Sequence, residues 1–193
     1  MKYDLEIHRR RSIRLKGYDY SQSGAYFVTI VAWGREKLFG EIVDGKLRLN
    51  AFGDIVRMEW ERTPEIRHEV ELGAYVVMPN HFHGIIIFTN DGVGAIRRVA
   101  PTTMRTLQSG SLGAVMAQFK SIVTKQINTL RGTPKMPVWQ RNYFEHILRN
   151  ADEANQIHLY IESNPVNWAE DDENRYFSFQ MPDVRAGIIS YWR

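Results

Sequence analysis

Ala74-Tyr75-Val76-Val77-Met78-Pro79-Asn80-His81-Phe82-His83-Gly84-Ile85-Ile86-Ile87-Phe88 holds two apolar, β-branched runs separated by a Pro-Asn pair. Runs of that make-up form strands and Pro-Asn turns the chain, which predicts paired strands over about Val70 to Met78 and His81 to Thr89. Upstream, Gly24 to Trp33 is equally rich in β-branched and aromatic residues, as in a strand covered on both faces. Between them, Asp44-Gly45 joins two short apolar runs in a predicted hairpin over 41–49. Asn50 then caps a helix carrying Phe52, Ile55, Val56 and Trp60, which Thr63-Pro64 stops. Downstream, 90–111 reads as a long loop. Ser111 opens a helix with Leu112, Val115, Met116, Phe119, Ile122, Val123, Ile127 and Leu130 at three- and four-residue steps, closed by Gly132. An extended segment from Val138 to Leu148 and a helix from Ala151 to Asn164 follow. With the hairpin set aside, the order is strand, helix, strand, strand, helix, strand and an extra helix. That is the split βαβ, ferredoxin-like order of an α+β fold, an antiparallel sheet with helices on one face and the other face free.

The 193 residues suffice for one domain with a real core. No cysteine is present, which excludes disulfides, thiolate nucleophiles and Cys-ligated zinc and fits a reducing cytoplasm. Neither a signal-peptide core at the start nor an apolar run of membrane-spanning length is seen, so a cytoplasmic protein without membrane attachment is expected. The net charge of +3 conceals segregation: residues 97–149 hold nine Lys or Arg against one carboxylate, and 1–17 form a basic arm. Such a basic block is either a phosphate-binding surface or simply a solvated one.

His81 and His83 lie on the same side of a predicted strand, with Phe82 on the other. At a strand end they are expected to be accessible, and they are either a metal-chelating pair or ordinary histidines. On the last helix Glu153, Gln156, Tyr160 and Asn164 fall within about 40° of one another, beside a stripe of Ala154, Ile157 and Ile161. Tyr160 either reaches into a cleft or packs at the core edge with its hydroxyl in water. His146 is a further candidate ligand or base, or a hydrogen-bonded sheet histidine; His158 points away from the Tyr160 face. Glycine-rich phosphate loops, Gly-x-Ser-x-Gly and His-Glu-x-x-His are missing, which removes the main support for kinase, P-loop ATPase, serine hydrolase and zincin readings.

The stretch from Ala74 to Phe88 resembles the signature of the single-tyrosine HUH transposases. Phe119-Lys120-Ser121, Val138-Trp139-Gln140, Tyr143 to Arg149 and Tyr160 to Pro165 resemble the REP-associated tyrosine transposase branch, in its order and approximate spacing. The resemblance spans about residues 18–175, leaving 176–193 as a tail. It implies an enzyme that cuts and rejoins single-stranded DNA beside hairpins, in which His81 and His83 hold Mg²⁺ or Mn²⁺, Asn164 completes the ligands and Tyr160 becomes a 5′-phosphotyrosine. Tyr143 is the competing nucleophile, set second because the family carries its tyrosine on a helix just before Asn-Pro. Two features depart from the branch: the hairpin at Asp44-Gly45, and an acidic end with Trp168 and Asp171-Asp172-Glu173 in place of a small, basic continuation.

Arg97, Arg98, Arg105, Lys120, Lys125, Arg141 and Arg149 are the expected DNA contacts, and a homodimer is expected through the free sheet face or a sheet edge. Two other readings stand beside the transposase: a metal-dependent phosphodiesterase or nuclease using water, and a DNA-binding module that does not cut.

Overall fold

The structure, a computed structural model, describes residues 19–20, 22–89 and 110–169. The basic arm, the tail, most of the long loop and Arg97, Arg98 and Arg105 lie outside the described residues.

Four strands form one antiparallel sheet: β1 (Gly24–Val31), β4 (Val70–Val77), β5 (His81–Phe88) and β6 (Phe144–Leu148), in the order β4-β5-β1-β6. This is the ferredoxin-like order, with β1 central between β5 and β6. The inserted hairpin is β2 (Gly40–Val43) with β3 (Lys46–Leu49). Its turn residues Asp44 (φ 52°) and Gly45 (φ 70°) are both left-handed, as a two-residue turn with the strands' twist demands.

Helix α1 (Ala51–Glu61) starts at Asn50, whose Oδ1 accepts from the N–H groups of Phe52 and Gly53 at 2.9 and 3.1 Å. Thr63-Pro64 does end α1, but it also opens a one-turn helix α2 (Thr63–Ile66), because proline lacks only an N–H that a first turn does not use. Helix α3 (Leu112–Leu130) is capped by Ser111. Helices α1 and α3 cover one face of the sheet, where Tyr26, Val28, Ile30, Phe82 and Ile86 meet Val56, Trp60, Met116 and Phe119.

The opposite face is not free. Helix α4 (Ala151–Ser163) lays Ile157 and Ile161 on Phe27, Val76, Met78, Ile85 and Leu148, and Ile42 and Leu47 of the hairpin pack at the margin. The alternation that buries Val28 and Phe82 on one side leaves Phe27 and Ile85 on the other, and an apolar face must itself be covered. Pairing of two copies through that face is thereby corrected; only the sheet edges remain for it. No helix among the described residues is long and apolar enough to cross a membrane.

Gly84 sets how closely β5 approaches α1. A Cβ there would lie 2.7 Å from Trp60 Cζ2 and 2.9 Å from the Phe82 ring. Trp60 is fully buried, its ring 4.6 Å from that of Phe82. Gly84→Ala is therefore expected to destabilise the fold by about 1–3 kcal/mol through overpacking. A lower urea midpoint with an unchanged m-value would show it; an unchanged midpoint would mean that Trp60 has room to move.

Candidate active site

β5 starts directly after the Pro79-Asn80 turn, and its alternation sends Phe82 toward Trp60 and Phe119 while His81 and His83 face α4. The two imidazole centroids are 4.4 Å apart. Both side chains are buried, contrary to the accessibility expected of a strand end. Phe27 stacks on His83 at 5.3 Å, and the Trp168 ring lies 6.0 Å from that of His81, with Lys37 Nζ 5.6 Å over the same indole.

Hydrogen bonds orient each ring. Asn80 Oδ1 lies 2.8 Å from His81 Nδ1; an amide oxygen only accepts, so Nδ1–H donates and Nε2 keeps its lone pair. Thr29, the cross-strand partner of His83, places Oγ1 2.8 Å from His83 Nδ1, and the Tyr160 hydroxyl lies 3.1 Å from His83 Nε2. With its proton on Nδ1, as in His81, the His83 ring donates to Thr29 and Tyr160 O–H donates to Nε2. Burial drives the His83 pKa down to about 3. Burial, then the neighbouring His83 and Arg35, also holds His81 well below the usual imidazole range. Both rings are neutral near pH 7, the protonation state in which imidazole ligates a metal.

His81 Nε2 and Asn164 Oδ1 are buried without a hydrogen-bond partner among the described residues. Orphaned acceptors of this kind cost about 1–3 kcal/mol each. A divalent cation is a partner that either atom could take. No group of three or more His, Cys, Asp or Glu suited to a metal occurs among the described residues, so among them a third protein ligand would be an amide or hydroxyl oxygen such as that of Asn164. Imidazole nitrogens suit a first-row transition-metal ion, and an amide oxygen suits Mn²⁺ or Mg²⁺, so of these two the mixed set fits Mn²⁺ better.

Comparison with known proteins puts this geometry in context. An uncharacterized Haemophilus influenzae protein is 39% identical over 176 residues, covering 88% of this chain and 96% of that protein. The two chains belong to one family. A second Haemophilus influenzae protein, provisionally assigned as a REP-associated tyrosine transposase, is 29% identical over 174 residues, covering 88% and 87% of the respective chains. Among solved structures, a REP-associated tyrosine transposase bound to a REP hairpin superposes with a TM-score of 0.50 at 20% identity, covering 83% of this chain and 77% of that one. The fold is that of a REP-associated tyrosine transposase. No protein-family model matches the chain.

Within that transposase fold the remaining candidates separate. Tyr160 comes to the histidine face from α4, with Asn164 buried one turn further on at the helix's C-cap, whereas Tyr143 packs with the α3 cluster on the other side of the sheet. His146 Nε2 meets Glu153 Oε1 at 2.6 Å, and Glu153 Oε2 accepts from Arg149 N–H at 2.7 Å, which ties β6 to the start of α4. Burial alone would raise the Glu153 pKa, but the Arg149 N–H and His146 outweigh it and hold it below the usual range. His158 pairs with Glu162 on the exposed side of α4.

Of the expected DNA contacts, Lys120, Lys125 and Arg141 line a groove of about 680 Å³ between α3 and residues 135–143, together with Lys135 and no carboxylate. Lys120 Nζ donates to the carbonyls of Gln140, Arg141 and Asn142 at 2.7, 3.3 and 3.2 Å, and burial lowers its pKa to about 8. Its ammonium shapes the wall of the groove. Arg149 stands apart on the β6–α4 connection. Thr29, Asn80 and Trp168 were not among the residues expected at the site: Thr29 follows only from strand register, Asn80 reads as a turn residue, and Trp168 reads only as part of the acidic end that departs from the branch.

Proposed function

We propose that this protein is a cytoplasmic DNA transposase of the single-tyrosine HUH kind, cutting and rejoining single-stranded DNA beside hairpins through Tyr160. The observation that carries this is the Tyr160 hydroxyl 3.1 Å from His83 Nε2, on the face where His81 Nε2 and Asn164 Oδ1 are left without partners. His81, His83 and Asn164 would hold Mg²⁺ or Mn²⁺, which when bound supplies positive charge to polarise the scissile phosphate, favour the phenolate and offset charge on the leaving oxygen. Tyr160 Oη forms the bond to phosphorus as the bond to the 3′-oxygen breaks; the phenolic proton is lost to solvent and the leaving 3′-oxygen takes one up, giving a 5′-phosphotyrosine and a 3′-hydroxyl. Attack by a 3′-hydroxyl on that ester rejoins strands without ATP. Asn80 and Thr29 hold the two rings in place, while Phe27 and Trp168 exclude water from them. Lys125, Lys135 and Arg141 supply a surface of the sign that phosphates require. A homodimer is proposed through a sheet edge, since both faces are covered.

A 5′-labelled hairpin oligonucleotide incubated with the protein and Mn²⁺ and run on a denaturing gel tests the proposal. Label retained on the protein is the expected result. Cleavage without capture would transfer the assignment to a water-using phosphodiesterase, and binding without cleavage to a DNA-binding module.

A further inference from the structure

Trp33 is the one exposed Phe, Tyr or Trp side chain among the described residues, with 52% of its surface in water. It stands on a 3₁₀ turn, Trp33–Arg35, that follows β1. The turn is held from both sides. Trp33 N–H donates to Val138 O at 2.8 Å, so its backbone is bonded to the same 138–141 strip that walls the basic groove. On the other side Ala32 N–H donates to Asn80 O at 2.8 Å, and Asn80 Nδ2 donates to Arg35 O at 3.4 Å. Asn80 is the residue that orients His81. The turn that bears this large flat ring is thus fixed at the sheet end that carries the histidine pair, its backbone bonded to the wall of a groove lined by Lys120, Lys125, Lys135 and Arg141 with no acidic residue.

The backbone here is unusual as well. Three non-glycine residues among those described have left-handed φ: Asp44 in the hairpin turn, Arg35 at 57° and Lys135 at 71°. The last two are cations flanking this strip. Left-handed backbone at non-glycine residues carries a cost and persists where the surroundings over-determine it, which is common at ligand sites. An isolated exposed tryptophan is unremarkable by itself. One carried on an anchored turn beside a carboxylate-free basic groove matches the two chemical parts of a single nucleic-acid strand, a planar base and a chain of phosphates.

We infer that Trp33 is a base-stacking platform for an unpaired nucleotide flanking the hairpin, on a strand whose phosphates follow the groove between α3 and residues 135–143. The inference rests on the DNA reading above and adds to it the residue that grips the single strand and the route by which the strand reaches the histidine face.

Fluorescence anisotropy in EDTA, with a labelled hairpin carrying an unpaired flank and the same hairpin without one, reads binding apart from cutting. Trp33→Ala should bind the flanked hairpin about tenfold more weakly, the size of one stacked base, and the unflanked hairpin as the parent does. Trp33→Phe should recover most of the loss, and an abasic residue at one flank position should reproduce it without adding to it in Trp33→Ala. Equal affinity of Trp33→Ala and parent for the flanked hairpin overturns the inference and leaves the DNA reading standing. So does an equal loss on both hairpins, or a change in sedimentation with affinity unchanged, which would make Trp33 a contact for a second copy of the chain. A parent protein that binds neither hairpin overturns both.

Discussion

Tyr160→Phe is expected to abolish both DNA cleavage and the covalent adduct while leaving hairpin binding as in the parent. The substitution keeps the ring, and so its edge-on contacts with Phe27 at 6.1 Å and with His83 at 5.2 Å between centroids. What it removes is the hydroxyl that hydrogen-bonds His83 Nε2. Losing that bond should cost the fold about 1 kcal/mol, whereas losing a nucleophile with no substitute oxygen should cost cleavage at least roughly a thousandfold. Tyr143→Phe is the control, because that ring packs on the α3 side of the sheet, away from the histidine pair. Single-turnover assays on a 5′-labelled hairpin with Mn²⁺ decide the matter. Residual cutting by Tyr160→Phe would mean that water attacks phosphorus; loss of the adduct in Tyr143→Phe alone would place the nucleophile on the wrong side of the sheet and undo the site as drawn.

The parts of this molecule that could be read from the chain are those fixed by near neighbours. Asp44-Gly45, Asn50 and Ser111 each solve a local backbone problem, left-handed turn residues or an unpaired N–H at a helix start, and each sits where its chemistry requires. The facing of His81 and His83 away from Phe82 follows from strand alternation, and the shared edge of Tyr160 and Asn164 from helical periodicity. Contacts between distant segments leave no such local mark. That Thr29 rather than Phe27 meets His83 Nδ1 depends on the register of β1 against β5. A lysine on a helix face reads as a surface cation, yet Lys120 is committed to carbonyls 20 to 22 residues further on. The burial of His81 could not be read either, because Trp168, 87 positions along, supplies part of its cover. The same non-local apolar matching filled the sheet face that the element order alone left open.

That burial gives the fold a steep dependence on acid. Both histidines have folded-state pKa values below the ordinary 6.5, that of His83 at about 3. Above pH 6.5 neither the native nor the unfolded chain binds a proton at these sites, and they leave stability unaffected. Below 6.5 the unfolded chain takes up two protons that the native protein refuses, so stability falls with falling pH until the native rings protonate, for His83 near 3. The His83 proton alone corresponds to a slope of about 1.4 kcal/mol per pH unit, or roughly 2.7 kcal/mol lost between pH 6.5 and 4.5, and His81 adds to it in the same direction. Glu153 acts in the same direction: its depressed pKa contributes stability above its unfolded value that is lost as pH falls through the folded one. Since a domain's whole stability is about 5–15 kcal/mol, the native state should fail well above the pH at which carboxylates alone would unfold it. Urea midpoints measured in EDTA from pH 8 to 4 should be level down to about 6.5 and then drop steeply. His83→Gln, which keeps polar atoms beside Thr29 but cannot titrate, should have a lower plateau and a shallower slope. A profile that stays level to pH 4.5 would show that the rings protonate freely in the folded protein, which would mean that water reaches them and that Trp168 and α4 do not close over the site.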